Sequence, residues 1–199
     1  MTRCRRDIDC KGARRYRERL LKRNLNLSKK WKPPEGVGIK VVYIAEAYPK
    51  SGQFVYDVES PMSWLSNGII DDLQNGLRHP GFWGIQGKAD LLCRLRMNGV
   101  VVIDCCRCVV DKCGMSKKER DAAVRHCFSK HSRRRLNRII KDHEPALRFA
   151  FPMHKGRQRG GDLLSDINDM SNARVKPWHY ATAAQEKSSQ VTRGKRGGV

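Results

Sequence analysis

The chain has 199 residues, with 41 Lys+Arg against 20 Asp+Glu and a formal net charge of +21. This length predicts one ordinary domain, and a hydrophobic fraction of 39% supports one modest core with basic extensions. No run approaches the roughly 20 apolar residues of a membrane span, and no apolar secretory signal follows Met1, so we expect a cytoplasmic or nucleoid protein without membrane contact.

Charge of this sign and size predicts a nucleic-acid partner. Basic side chains bind phosphate by releasing counterions, which gives affinity and strong salt dependence without reading sequence. DNA, single- or double-stranded, is therefore the expected partner, and we expect a monomer. The alternative is a ribosome-like or merely solubilising basic protein.

Residues 1–36 are predicted to form a basic N-terminal arm. Met1 to Pro34 contains 13 Lys/Arg and 3 acids, a net charge of 13 − 3 = +10. Ala13 to Leu27 has the pattern of a basic helix, and Pro33 ends any helix there. The arm is either a phosphate-contacting element or a solvated tail.

The first predicted strand ends in an acid. Val41 to Ile44 is a β-branched and aromatic run, and Glu46 follows it at the start of a Pro/Gly loop. Phe54 and Tyr56 come after that loop. Because ligands bind at the carboxyl ends of strands in open α/β sheets, these residues predict a pocket with an acid and flat stacking surfaces. The alternative is an ordinary surface loop.

A second strand, Val100 to Ile103, repeats this pattern and ends in Asp104. The Asn98-Gly99 pair ends the helix that precedes it. Both strands are predicted to be central, adjacent and parallel, with the two acids at the same edge. Further helices are predicted over Pro61 to Leu77, Ser116 to His131 and Ser132 to His143.

Three segments resemble motifs of the uracil-DNA glycosylase superfamily. Its iron–sulfur-bearing branches carry a GEAPG motif after the first core strand, which Ala45 to Pro49 (AEAYP) resembles. A later family strand of the form N-(A/V)-V-K-C-R-P is similar to Asp104 to Cys108 (DCCRC), and an HPS-type histidine loop is similar to Phe151 to Gly156 (FPMHKG). The segments occur in family order, and none is an exact match.

The resemblance implies hydrolysis of the N-glycosidic bond of a deaminated or damaged base, of the uracil or hypoxanthine type, in DNA repair. Glu46 would position or activate the water, and His154 would donate to the departing base oxygen. Phe54 or Tyr56 would stack on the extruded base, and Asp104 would contact its hydrogen-bonding edge.

Arg157, Gln158 and Arg159 would lie where the family's intercalating loop enters DNA. Asp104 departs from the family, which has Asn at this position. An ionised carboxylate only accepts hydrogen bonds, so it disfavours uracil unless it is protonated. Asp104 could instead cap a helix or pair with Arg107.

The cysteines allow three interpretations. By resemblance, Cys4, Cys10, Cys108 and Cys127 lie in the four regions that hold a [4Fe–4S] cluster in the iron–sulfur branches. A zinc site from Cys105, Cys108, Cys113 and Cys127 is the second interpretation, and plain thiols are the third.

We expect a small three-layer α/β sandwich with a short, mostly parallel central sheet over residues 37–182. Residues 183–199 are predicted to be a disordered basic tail. Between Cys127 and His154 the only strand-like segment is Ala146 to Phe151, so a core strand of the family is missing or rewritten.

Two classes compete with the glycosylase. One is a non-catalytic basic nucleic-acid-binding protein on a degenerate glycosylase fold, which explains the charge and Asp104 without a reaction. The other is a thiol redox protein around Cys105, Cys106 and Cys108, which is weaker because no Cys-x-x-Cys opens a helix.

Overall fold

The computed structural model describes residues 23, 26–27, 29–47, 54–106, 117–150, 153–154, 157–158, 161–171 and 176–177. Its strands are β1 (Val41–Ala47), β2 (Val100–Cys106), β3 (Ala146–Ala150), β4 (Met153–His154), β5 (Arg157–Gln158) and β6 (Lys176–Pro177). Its α-helices are α1 (Trp64–Asp71), α2 (Gly87–Met97), α3 (Lys117–Cys127), α4 (Arg133–His143) and α5 (Gly161–Ser171).

The main sheet has the order β2-β1-β3-β6, and every pair in it is parallel. The expected α/β fold with a short, mostly parallel sheet is therefore confirmed. β1 and β2 are adjacent, as predicted, but β2 is the outermost described strand and not a central one. A continuous apolar run shows that both faces of a strand are buried. It does not show whether the strand lies in the middle of the sheet or at its edge. β4 and β5 form a separate antiparallel pair.

The sheet is covered on both faces, which gives three layers. Alternate residues of a strand point to opposite faces. On the first face, Val42 and Ile44 pack with apolar residues of α3, α4 and α5. On the second face, Val41 and Tyr43 pack with α1, α2 and the segment that begins at Phe54.

Local signals explain how the helices on the second face begin and end. Ser63 caps α1, and its hydroxyl accepts from the backbone N–H of Ser66 at 3.1 Å. α1 continues into a π-helical turn, Asp72–Gly76, so together they fill most of the predicted helix. α2 ends at the predicted Asn98-Gly99 pair, where Gly99 has φ +68°.

Helices α3 and α4 join through a π-helical turn, Phe128–Ser132, without a break. Core-facing residues recur every four positions, from Val124 through Phe128 and Ser132 to Leu136. An α-helix turns by about 100° per residue, so residues four apart differ by about 40° in direction around the helix axis. The wider π turn reverses part of this rotation, so the four side chains continue to face the sheet.

The folded unit includes residues that the sequence places in the arm. Leu27 and Trp31 pack against the second-face core, and the Arg23 guanidinium pairs with Asp57 at 2.5 Å. Residues 1–22 and the predicted tail over 183–199 lie outside the described part of the chain.

A buried polar network crosses the second face. Tyr43 donates to the Asp72 carboxylate at 2.7 Å, and Arg148 Nε lies 3.1 Å from the same oxygen in an ion pair without hydrogen-bond geometry. Burial, followed by the hydrogen bond to Asp72, raises the pKa of Tyr43 above its usual range. The network fastens the end of α1 to β1 and β3.

Candidate functional site

Glu46 and Asp104 lie at the same edge of the sheet, as predicted, but on opposite faces. Ala45 pairs with Asp104 in the parallel register, so Glu46 is one position further along β1. Glu46 therefore shares the face of Val42 and Ile44, whereas Asp104 shares the face of Val100 and Val102. A pocket confined to one face contains only one of the two carboxylates.

Glu46 is buried in an ion pair that the sequence did not indicate. Its Oε1 lies 2.6 Å from Nε of Arg120 on α3, and 7% of its side chain is exposed. The arginine fixes the carboxylate against α3 and places a positive charge beside it. Arg120 is one of many basic residues in this helix, so no local pattern singles it out.

The predicted base-stacking role of Phe54 and Tyr56 does not agree with their burial. Phe54 is 1% exposed and Tyr56 is 4% exposed, and their rings pack edge to face at 5.7 Å. Aromatic residues after a loop are as well suited to fill a core as to line a pocket, and here they form part of the core on the second face of the sheet.

Tyr56 instead binds the outward-facing backbone groups of Val102 at the edge of β2. Its hydroxyl accepts from the backbone N–H of Val102 at 2.6 Å and lies 3.3 Å from the Val102 carbonyl, to which it donates. An outermost strand presents unpaired backbone groups on one side, and a buried one of these is costly. Burial, the largest cause, raises the pKa of Tyr56 to about 12.

Asp104 is half-buried, and its backbone carbonyl accepts from the Ser132 hydroxyl at 2.9 Å. This bond ties the end of β2 to the π turn between α3 and α4. Arg107, its alternative partner, lies outside the described residues. The base-reading role of Asp104 stays a prediction.

Cys105, Cys106 and Cys127 are buried, and none of them forms a disulfide with another described cysteine. Burial first, then the charge of Asp104 and the proximity of Cys127 and Glu46, raises the pKa of Cys105 well above its usual value. Because the thiolate is the reactive form, this environment disfavours the redox interpretation of Cys105.

The cluster and zinc predictions fall mostly outside the described residues. Cys4, Cys10, Cys108 and Cys113 all lie there, and among the residues that are described no three metal-binding side chains come together. Cys127 alone of the four predicted cluster ligands is placed, and it is 2% exposed. The [4Fe–4S] cluster stays a prediction.

Part of the histidine segment lies in the antiparallel pair of β4 and β5. His154 in β4 pairs with Arg157 in β5, and Gln158 pairs with Met153. The side chains of these residues and all of Arg159 lie outside the description, so a cleft shared by Glu46 and His154 stays a prediction.

The outer face of α4 carries a row of exposed polar side chains, which we call the α4 stripe. It begins in the π turn, and its spacing of three and four residues keeps its members on one face of the helix. Leu136 and Ile139 lie on the opposite face, in the core. The stripe consists of Lys130, Arg133, Arg134, Asn137, Arg138 and Lys141, all exposed.

Several arginines elsewhere in the described chain face acids. Arg23, Arg94, Arg120, Arg125 and Arg148 each form an ion pair with a carboxylate. None of the α4 stripe residues has a hydrogen bond or ion pair with another described side chain. Residues 133–143 are visibly basic in the sequence, but which of these cations have an acidic partner could be seen only in three dimensions.

No protein-family model, curated protein or solved structure matches the chain. The described helices include none that is long and apolar enough to cross a bilayer. The glycosylase resemblance stays a prediction that depends on its three sequence segments.

Proposed function

We propose that this protein binds nucleic acid through the α4 stripe. The observation that carries the proposal is the set of five exposed cations, Lys130, Arg133, Arg134, Arg138 and Lys141, without a carboxylate partner among the described residues. Exposed cations that lack an internal partner remain available to an external anion.

The length and density of the stripe support a polyanionic ligand. From Lys130 to Lys141 a helix rises about 16 Å, and a DNA duplex carries about nine phosphates over that length. Phosphate contacts to several of the five cations would release counterions and make binding steeply salt-dependent. The net charge of +21 adds long-range attraction to the same ligand.

The test compares two variants with the same change in net charge. Arg134→Gln with Arg138→Gln removes two charges from the stripe, and Arg78→Glu removes two from an exposed site before α2. In fluorescence anisotropy with a labelled duplex, we expect the stripe variant to bind about 10-fold more weakly and the Arg78 variant to bind within about twofold of wild type. Equal losses of affinity in both variants would mean that only the net charge matters, which would contradict the proposal.

A second candidate is hydrolysis of an N-glycosidic bond in DNA. The observation that favours it is the position of Glu46 at the carboxyl end of β1, the edge at which parallel sheets bind ligands. In this candidate Arg120 would hold the Glu46 carboxylate in place, His154 would donate to the leaving base, and the predicted cluster would be structural. Binding to chromosomal DNA would place the protein at the nucleoid.

A panel of oligonucleotides carrying uracil, hypoxanthine or xanthine tests this candidate, with abasic sites revealed by strand cleavage. Glu46→Gln and His154→Ala should each lower excision by about 10²-fold or more and leave DNA affinity unchanged, since each removes a transition-state contact. Asp104→Asn tests whether the pocket spans the edge of the sheet and so reaches both faces: in that case excision of uracil should rise, because an amide also donates to the ring carbonyl. Intact oligonucleotides throughout would leave binding as the function.

A further inference from the structure

Asn137 is the only uncharged member of the α4 stripe, and it lies near the middle of it. Arg133 and Arg134 precede it by one helical turn, and Arg138 and Lys141 follow it within one turn on the same face. Its amide is exposed and has no hydrogen bond to another described residue. An amide can donate to a phosphate oxygen, as the cations do, but it can also accept a hydrogen bond, which a phosphodiester cannot supply.

We propose that α4 enters the major groove of duplex DNA and that Asn137 reads a base edge there. This inference rests on the nucleic-acid-binding function proposed above and specifies its substrate. The major groove is about 12 Å wide and admits one α-helix, whose central side chains face the bases while its flanking side chains face the phosphates. By helical spacing, Arg133 lies to one side of Asn137 around the helix and Arg134 and Arg138 lie to the other, which suits contacts with the two phosphate backbones.

The chemistry of an amide matches one base in particular. The Asn137 side chain both donates and accepts, so it can bind N7 and N6 of adenine at the same time. An arginine of the stripe that reaches a base edge would prefer the two acceptors of guanine. The helix is therefore expected to prefer a short site that contains adenine.

Duplex DNA fits the stripe better than other nucleic acids. The major groove of an RNA duplex is deep and too narrow for side chains to read. Single strands are bound by aromatic side chains that stack on unpaired bases, and the α4 stripe contains none. The described exposed tryptophans, Trp64 and Trp83, lie in or next to the helices of the opposite face of the sheet.

The experiment selects binding sites for the full-length protein from duplex oligonucleotides with a randomised centre. Wild type should enrich a short motif, and changing its adenine should weaken binding by about 10-fold or more. Asn137→Ala should lose the preference at that position only and keep the salt slope of wild type, because no charge is removed. Asn137→Asp should also lose it, because a carboxylate cannot donate.

The outcomes separate this inference from the proposed function. Binding without any enriched motif, or a motif that Asn137→Ala leaves unchanged, would overturn base reading while α4 remains a phosphate-binding surface. Tighter binding to single strands or to duplex RNA in a parallel titration would overturn the choice of duplex DNA. No binding by the wild type would overturn both proposals.

Discussion

Gly99 has the closest backbone contact among the glycines of the described fold. Its φ of +68° lies in the left-handed region, and a Cβ added there would stand 2.0 Å from the Gly38 carbonyl oxygen. Neighbouring backbone groups cannot rotate away as a flexible side chain can. The close approach lets the segment before β1 run alongside the start of β2, where Lys40 N–H donates to the Gly99 carbonyl at 2.8 Å.

Gly99→Ala should therefore cost more stability than Gly84→Ala, although the two glycines have similar φ angles. Gly84 has φ +66°, and a Cβ added there would meet nothing within 4 Å, so alanine at this position incurs only the left-handed penalty of about 1 to 2 kcal/mol. At Gly99 the clash adds to that penalty, and we expect a loss of at least about 3 kcal/mol in denaturant unfolding. Similar losses of stability at both positions would mean that the Gly38 backbone can move away from the added methyl group at little cost.

At the scale of single residues, the sequence predicted where one helix ends but did not predict that Phe54 and Tyr56 are buried. The Asn98-Gly99 stop was correct because chain reversal after a helix needs a left-handed residue, which is a local requirement. Phe54 and Tyr56 were assigned to a pocket, yet they belong to the core. An aromatic side chain after a loop carries no local sign of whether it will face a ligand or the interior.

At the scale of secondary-structure elements, a side chain supplies hydrogen bonds to the outer edge of β2. Tyr56 supplies both hydrogen bonds to Val102, and burial raises the pKa of Tyr56 to about 12 from an ordinary value near 10. The neutral phenol is thus the form that the fold requires. Stability from this group is complete below about pH 10 and is lost as the pH rises through about 12.

Tyr56→Phe should lower the free energy of unfolding by about 1 to 3 kcal/mol at neutral pH, because it leaves the buried Val102 N–H unsatisfied. It should also make stability fall less steeply between about pH 10 and 12, although Tyr43, whose pKa is also raised, keeps part of the slope. Urea unfolding at a series of alkaline pH values measures both effects. An unchanged slope in the variant would show that Tyr56 ionises as easily in the folded protein as in the unfolded one.

Element predictions from apolar spacing were largely correct, since burial of one face imposes the period. Both acid-tipped strands were found at their predicted positions, as were α2 and α4. The helix α5 was not predicted, although Leu163, Leu164 and Ile167 have helical spacing. Which face Glu46 and Asp104 occupy could not be predicted, because a shift of one residue in register exchanges the faces of a strand.

At the scale of the whole molecule, apolar packing determines the fold, and surface charge determines the proposed binding face. The two apolar layers on either side of the sheet fix the fold, and a row of cations without a carboxylate partner among the described residues lies on the outer side of α4. Net charge alone predicted a nucleic-acid partner, but it did not locate the contact. The position proposed above for this contact depends on which cations already have an acid beside them, and that is a property of tertiary structure.

Hydrogen exchange with and without duplex DNA tests most directly where the ligand lies. Bound DNA should slow exchange in peptides that cover Lys130 to Lys141, since contact with this face suppresses local opening of α4. Peptides that cover α2, on the opposite face of the sheet, serve as the internal control and should exchange as in the free protein. Slowing confined to α2 or to other segments, with α4 unchanged under saturating DNA, would contradict the account.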